Sequence, residues 1–133
     1  MQKGLFWLPV AAWCGLIFAL SSVPGLESGL SWDFTLRKGA HMFEYAVLFL
    51  LIRRALAATT TLSRRACTIT ALACAVAYAM SDEFHQSFVP NRGASPIDVL
   101  IDAVGALAGT LVKHDEKICA FAPVRLLFGR LRG

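Results

Sequence analysis

Polar and ionisable side chains recur at helical spacing inside otherwise apolar stretches of this sequence. Lys38, His41 and Tyr45 follow an i, i+3, i+7 pattern, and Asp98 and Asp102 are one helical turn apart. A histidine beside a carboxylate can transfer protons, and a nearby lysine can bind an anionic group such as phosphate. These residue types therefore indicate acid–base chemistry on a charged substrate, provided that the helices bring them together.

A third polar group follows the apolar run that ends at Met80. Asp82, Glu83 and Gln86 continue the helical pattern, and Arg92 lies in the turn segment after them. An ionisable group in hydrocarbon is costly unless it is paired or hydrated, so each is a candidate functional residue. The catalytic candidates are His41 as general base or nucleophile, with Glu83 or Asp102 as its carboxylate partner. The candidate substrate-binding residues are Lys38, Tyr45, Asp82, Gln86, Arg92 and Asp98.

Each of these groups also has a purely structural interpretation. Asp98 suits a helix-capping acid, and Lys38 could extend its amine to the membrane surface. Asp82 and Glu83 could mark the hydrated end of a helix. The deeper His41 has no such simple explanation, although a buried polar network that only specifies helix packing is an alternative for the whole set.

Metal chemistry is less well supported by the spacing. The oxygen and nitrogen donors match no metal signature such as H-E-x-x-H, and we predict neither a metal nor a cofactor. The four cysteines form no C-x-x-C pair. We interpret them as packing residues and expect no disulfide.

The composition places these residues in a membrane protein. Of the 133 residues, 56% are apolar and only 17% are charged, and the mean hydropathy is +0.58. A disordered chain would be less hydrophobic and more charged, and soluble domains carry more charge than this. Four apolar stretches, at roughly residues 5–20, 36–52, 66–80 and 96–112, predict four membrane-spanning helices, and the third continues as helix to Gln86.

The predicted fold class is therefore all-α, an integral membrane four-helix bundle. Residues 1–112 form the transmembrane domain, and residues 113–133 form a cytoplasmic tail that is amphipathic or flexible. A cleavable signal peptide is the alternative interpretation of the first stretch, but three further spans favour an uncleaved helix.

The basic residues predict the orientation of the bundle. With four spans, both termini and the loop between the second and third spans share one side, which holds ten of the 13 basic residues. These ten are Lys3, Arg53, Arg54, Arg64, Arg65, Lys113, Lys117, Arg125, Arg130 and Arg132. Both termini should thus be cytoplasmic. Topology explains the net charge of +4, and no nucleic-acid partner is needed.

Depth along the helices predicts which polar residues meet. At ~1.5 Å per residue, counted from the nearest cytoplasmic basic residue on each helix, Lys38 and Asp98 both lie ~22 Å up. His41 lies at ~18 Å and Asp102 at ~16 Å on the same scale. We therefore expect the second, third and fourth helices to point these groups at one another in the outer half of the bundle.

The fourth helix carries two further signals. Ser95 and Pro96 are typical of a helix start, with Asp98 as a capping-box acid at the third position. Gly105 and Gly109 form a G-x-x-x-G pair, which permits close contact with a neighbouring helix.

Three of these segments resemble the VanZ-like family of membrane proteins. They match K-x-x-H-x-x-x-Y from Lys38, E-x-x-Q-x-F-x-P-x-R from Glu83 and D-x-x-x-[N/D]-x-x-G from Asp98. The likeness covers roughly residues 5–112 in order and leaves the tail unexplained. Asn91 stands where family members often have Gly, and Asp102 stands where many have Asn.

The resemblance implies a protein of the cell envelope, in the bacterial cytoplasmic membrane. The family is named for a protein linked to low-level resistance to teicoplanin, a glycopeptide that acts at the wall precursor outside the membrane. The partner would be a membrane lipid or a lipid-linked wall precursor, and the oligomeric state is left open.

Three functional hypotheses follow. The first is an intramembrane enzyme that modifies a lipid headgroup or wall precursor, and the second is a non-catalytic binder of a lipid, precursor or antibiotic. The depth of His41 and Glu44 favours the enzyme, because a binder of headgroups has little use for a buried base. The third, a transport subunit, is weakened by the small size of a four-helix chain.

Overall fold

A computed structural model of the protein describes residues 3–24 and 33–112, with the backbone alone at residues 33 and 34. The elements are a 3-10 turn (Lys3–Phe6), α1 (Leu8–Ser21), α2 (Asp33–Thr59), α3 (Arg64–Gln86), α4 (Pro96–Ala108) and a second 3-10 turn (Gly109–Leu111). This part of the chain contains no strand, which confirms the all-α prediction for it. The predicted tail, residues 113–133, lies outside the described residues.

Local sequence explains where the helices begin and end. Ser63 caps α3 by accepting a hydrogen bond from the amide of Ala66, and Ser95 caps α4 through the amide of Ile97. The start of α4 at Pro96 is thus confirmed. The second helix is longer than the predicted stretch, because good helix formers continue it past the apolar run to Thr59.

The capping box predicted for α4 is wrong in one respect. The Asp98 carboxylate does not accept a hydrogen bond from the backbone amide of Ser95, because it pairs with Lys38 instead. The Ser95 amide donates to Glu83 Oε2 on α3, at 3.0 Å. A carboxylate from a neighbouring helix therefore satisfies the donor that a capping acid would have taken.

The second helix lies at the centre of the bundle and packs against each of the other three helices. It supplies the largest buried side chains, among them Tyr45, Leu48 and Phe49. On α3, Ala71 and Ala75 belong to a buried stripe of small residues spaced four apart. Because small side chains project little, this stripe lets α2 and α3 approach closely.

The predicted G-x-x-x-G contact is confirmed at the interface between α2 and α4. A methyl group added at Gly105 would lie 2.3 Å from the carbonyl oxygen of Met42, and one added at Gly109 would lie 2.7 Å from Phe49 Cδ1. Both glycines are thus required by the close approach of two backbones.

The outer surface of the helices is strongly apolar. Large side chains on all four helices are more than half exposed, including Leu8, Phe43, Ile69, Phe84 and Leu100. By length and composition, one helical stretch of the described chain could cross a membrane: Lys3–Ser21, with 19 residues and mean hydropathy 1.8. A signal sequence passes the same test, so direct support for the four predicted spans is confined to the first.

Candidate functional site

Polar side chains gather where the C-terminal ends of α1 and α3 meet the N-terminal ends of α2 and α4. The turn between α3 and α4 adds one further residue. We call this set the polar cluster. Its members are Ser21, Ser22, Lys38, His41, Glu44, Tyr45, Asp82, Glu83, His85, Gln86, Arg92, Asp98 and Asp102.

His41 and Asp102 face each other across the interface between α2 and α4, as their depth predicts. His41 Nδ1 lies 3.4 Å from Asp102 Oδ1, which is within ion-pair range. Asp102 is only 1% exposed. Within the described residues, neither of its carboxylate oxygens has a hydrogen-bond partner, and nor does His41 Nδ1. The facing atoms of the pair are therefore buried with unused hydrogen-bonding capacity, while the His41 side chain as a whole is 20% exposed.

Lys38 and Asp98 form an ion pair one turn further out on the same two helices. Their side chains are 24% and 22% exposed, so the pair lies near the rim of the polar cluster. The equal depth of Lys38 and Asp98 along their helices predicts this contact as well. Part of the lysine charge that was predicted to bind substrate is thus shared with a carboxylate of the protein.

Asp82 is buried and ties the first helix to the third. Its Oδ2 accepts hydrogen bonds from Ser21 Oγ at 2.8 Å and from Gln86 Nε2 at 2.9 Å. Its Oδ1 has no hydrogen-bond partner in the described part of the chain. Ser21 is not among the site residues predicted from sequence, although the Ser21–Ser22 pair at the end of the first apolar run also fits the VanZ-like resemblance.

Arg92 fixes the turn between α3 and α4. Its Nη1 donates to Gln86 Oε1 at 3.4 Å, and its Nη2 donates to the carbonyl of Leu20 at 3.3 Å. The turn passes through Asn91, whose φ of +61° is the left-handed conformation that favours glycine. This geometry explains why asparagine, which tolerates that region, can stand where the resemblance predicts glycine.

Ser22 and His85 form a second histidine contact that sequence analysis did not select. The Ser22 hydroxyl lies 3.0 Å from His85 Nε2 and also donates to the carbonyl of Phe18 at 2.7 Å. The ring centroids of His85 and Phe18 are 4.4 Å apart. Because the hydroxyl donates to a backbone carbonyl, the contact serves helix packing more directly than nucleophilic chemistry.

Tyr45 lies at the inner limit of the polar cluster. It is fully buried, its ring centroid is 6.4 Å from that of Tyr78, and its hydroxyl has no hydrogen-bond partner among the described residues. The Tyr78 hydroxyl, by contrast, donates to the carbonyl of Cys14. Tyr45 thus adds a further buried polar group without a hydrogen-bond partner to the polar cluster.

A family model for VanZ/LLP1 matches residues 6–114, which include every residue of the polar cluster. The chain belongs to the VanZ/LLP1 family. The family is membrane-associated, in agreement with the apolar outer surface. No curated protein and no solved structure matches the chain.

The three motifs of the VanZ/LLP1 resemblance meet in space. The lysine and histidine of the first, Lys38 and His41, contact the two aspartates of the third. The glutamate of the second, Glu83, accepts from the residue that caps the helix of the third. The first and third motifs, some 60 residues apart along the chain, therefore build one site. The catalytic and substrate-binding roles assigned to these residues stay predictions.

The described part of this VanZ/LLP1 chain holds no group of three or more histidine, cysteine, aspartate or glutamate side chains arranged to bind a metal ion. The cysteines within it, Cys14, Cys67 and Cys74, are free thiols. The chemistry that these residues can supply on their own is proton transfer and charge recognition.

Proposed function

We propose that this VanZ/LLP1 member is a multi-pass protein of the cell membrane with its polar cluster on the outer side. There it modifies the headgroup of a lipid or a lipid-linked wall precursor. The apolar side chains that cover the outside of all four helices support the membrane location, and the basic residues support the orientation. A substrate with a hydrocarbon anchor would reach such a site from within the bilayer.

The observation that carries the catalytic part of the proposal is the contact of the half-buried His41 with the buried Asp102. Buried polar groups in folded proteins are nearly always hydrogen-bonded, and an unpaired one is costly. Here His41 Nδ1 and both carboxylate oxygens of Asp102 have no hydrogen-bond partner among the described residues. A network that served only packing would be expected to satisfy them, whereas the hydrogen bonds of a catalytic pair are often long without substrate and tighten when it binds.

In this mechanism His41 is the general base. It takes a proton from the attacking hydroxyl or water and returns one to the leaving group, while Asp102 orients the imidazole and stabilises its protonated form. The charges of Glu44 and Asp82 also act on His41 and add to that stabilisation. General acid–base catalysis of this kind is worth roughly 10²–10⁴ in rate.

The proposal connects the site to glycopeptide resistance through the substrate. Teicoplanin acts at the wall precursor on the outer face of the membrane. An enzyme that alters that precursor, or the lipids around it, would change how the antibiotic gains access. Altered teicoplanin susceptibility is therefore the cellular phenotype that we expect from this protein.

Comparative profiling of lipids and wall precursors tests the proposal. Cells would express the wild type, His41→Ala or His114→Ala at matched membrane levels, and His114 is a matched control outside the described residues. We expect a molecular species to change with the wild type and with His114→Ala but not with His41→Ala. Identical profiles, with His41→Ala normally inserted, would contradict catalysis and leave non-catalytic capture of a lipid, precursor or antibiotic.

A further inference from the structure

An open groove of about 390 Å³ lies at the outer end of the bundle. It runs between α3 and the start of α4, and its lining residues are Met80, Glu83, Ala94, Ser95, Pro96 and Val99. Most of these are apolar, and Glu83 is the charged residue of the lining. The groove therefore offers a mainly hydrocarbon surface with one carboxylate.

The backbone holds the Glu83 carboxylate in a fixed position. The residue is 4% exposed, and its Oε2 accepts the hydrogen bond from the Ser95 amide. Neither of the ion pairs of the polar cluster, Lys38 with Asp98 and His41 with Asp102, includes it. A carboxylate that is removed from water and bonded to a neutral amide is a strong site for a cationic ligand.

The polar groups near Glu83 point to the same ligand chemistry. The charges of Asp82 and Asp102 act on it with the same sign as its own, and the charge of His41 acts on it with the opposite sign. Both oxygens of Asp102 and one of Asp82 are buried without a hydrogen-bond partner in the described chain. Arg92 directs its two terminal nitrogens to protein oxygens. The groove lining itself holds one carboxylate, that of Glu83, and a ligand with N–H donors and a positive charge would complement it.

We propose that the groove binds a membrane amphiphile whose headgroup carries a primary amine, of the phosphatidylethanolamine class. The ammonium group contacts the Glu83 carboxylate, and the hydrocarbon part lies against Met80, Pro96 and Val99. An ammonium group supplies three donors and one positive charge, which complement the Glu83 carboxylate in the groove lining. This inference rests on the proposed membrane location and names the substrate class, and the groove adjoins the polar cluster through Glu83.

Retention of lipids by the purified full-length protein tests the amine site without turnover. The protein in detergent would be mixed with equal amounts of phosphatidylethanolamine, phosphatidylcholine and phosphatidylglycerol of the same acyl chains, and bound lipid would be counted by native mass spectrometry. We expect at least fivefold more retained phosphatidylethanolamine than either of the others. Equal retention of the three lipids would overturn the proposal, because only the first carries a primary amine.

Two variants locate the site. Glu83→Gln keeps an oxygen for the Ser95 amide and removes the charge, so the preference for phosphatidylethanolamine should disappear. The matched change Glu116→Gln, in the tail, should keep it. Ala94→Trp fills the groove from an exposed position and should lower retention of the amine lipid at least fivefold. A Glu83→Gln or an Ala94→Trp protein that folds and still prefers phosphatidylethanolamine would overturn the assignment to this groove.

Two further arms separate this inference from its alternatives. Free phosphoethanolamine in excess should leave the bound lipid in place, because it lacks the hydrocarbon part; displacement would overturn the lipid as occupant. His41→Ala protein should retain phosphatidylethanolamine like the wild type, and loss of the preference would overturn a site centred on Glu83. If His41→Ala instead leaves cellular profiles unchanged while retention persists, the catalytic proposal fails and the amine site stands.

Discussion

The hydroxyl of Ser21 is a small group with a large structural role. It donates to the buried Asp82 carboxylate at 2.8 Å and joins α1 to α3 across 61 residues of sequence. Hydrogen bonds to charged acceptors stabilise more than neutral ones, because the full charge on the acceptor strengthens its attraction to the donor. The position of the first helix in the bundle should therefore depend on this serine.

We expect Ser21→Ala to lower the free energy of unfolding by about 1–3 kcal/mol, because the change leaves Asp82 with fewer donors. The measurement is reversible unfolding of the purified protein in mixed detergent micelles. Ser87→Ala is the control, because Ser87 is exposed and its hydroxyl bonds only the carbonyl of Phe84; it should change stability by less than about 0.5 kcal/mol. Equal effects of the two changes would show that the Asp82 contact stabilises little.

The ion pair of Lys38 and Asp98 gives a second prediction at this scale. Both side chains are about one-quarter exposed, so solvent screens their attraction. A double-mutant cycle with Lys38→Met and Asp98→Asn should give a coupling energy of about 0.2–1 kcal/mol that weakens as salt is added. A coupling energy of zero would mean that the two charges are positioned together without stabilising the fold.

The contacts that could be predicted from sequence are those between residues on long helices. Helical rise alone matches Lys38 with Asp98 and His41 with Asp102, because each pair lies at equal depth on helices that cross the same layer. The bond from the Ser95 amide to Glu83 could not be predicted. It depends on the path of the turn between α3 and α4, and that path is set by Arg92 and by the left-handed Asn91.

At the scale of elements, the close approach of α2 and α4 depends on two glycines. Gly105→Ala would place a methyl group 2.3 Å from the Met42 carbonyl oxygen, and a backbone atom of a central helix cannot move aside cheaply. The helices must separate, so we expect a loss of about 1–3 kcal/mol or more of stability. The pair of His41 and Asp102 should separate with them.

Gly39→Ala, on α2, is the matched control for this prediction. No atom lies within 4 Å of the added methyl group, and alanine is the better helix former. This change should raise stability by up to about 0.5–1 kcal/mol. The measurement is again unfolding in detergent. A Gly105→Ala protein as stable as the wild type would show that the contact between α2 and α4 is looser than described.

Helix boundaries were less predictable than helix existence. The apolar run locates the core of α2, yet the helix continues to Thr59 through residues that favour helix without being apolar throughout. The fourth helix behaves in the opposite way, since it ends at Ala108 and tightens into a 3-10 turn where the prediction runs to residue 112. Hydropathy locates buried or membrane-facing segments, whereas local propensity and capping decide where a helix stops.

At the scale of the whole molecule, the described helices combine an apolar outer surface with a polar cluster at one end, which is the arrangement expected of a bundle that spans a membrane. If both termini are cytoplasmic, the turn between α3 and α4 lies outside and the loop between α2 and α3 lies inside. Single cysteines would be placed at the exposed Gly93 and Thr61 after the four native cysteines are replaced. We expect a membrane-impermeant maleimide to label Gly93→Cys in intact cells, and Thr61→Cys only after permeabilisation.

The opposite labelling pattern would reverse the orientation. Labelling of both positions in intact cells would contradict a four-span bundle. Because the polar cluster contains the turn residue Arg92, this experiment also determines the side of the membrane from which its ligand must come.

Turnover in proteoliposomes is the most direct test of whether His41 and Asp102 act together on a membrane amphiphile. Wild-type and Asp102→Asn proteins would be reconstituted at equal amounts into vesicles of total membrane lipid, and headgroup composition would be followed by mass spectrometry. We expect the wild type to change the headgroup composition. The rate of this change should be at least about 100-fold lower with Asp102→Asn, because the imidazolium loses the carboxylate that stabilises it. Equal rates for the two proteins, or no change with the wild type, would contradict this expectation.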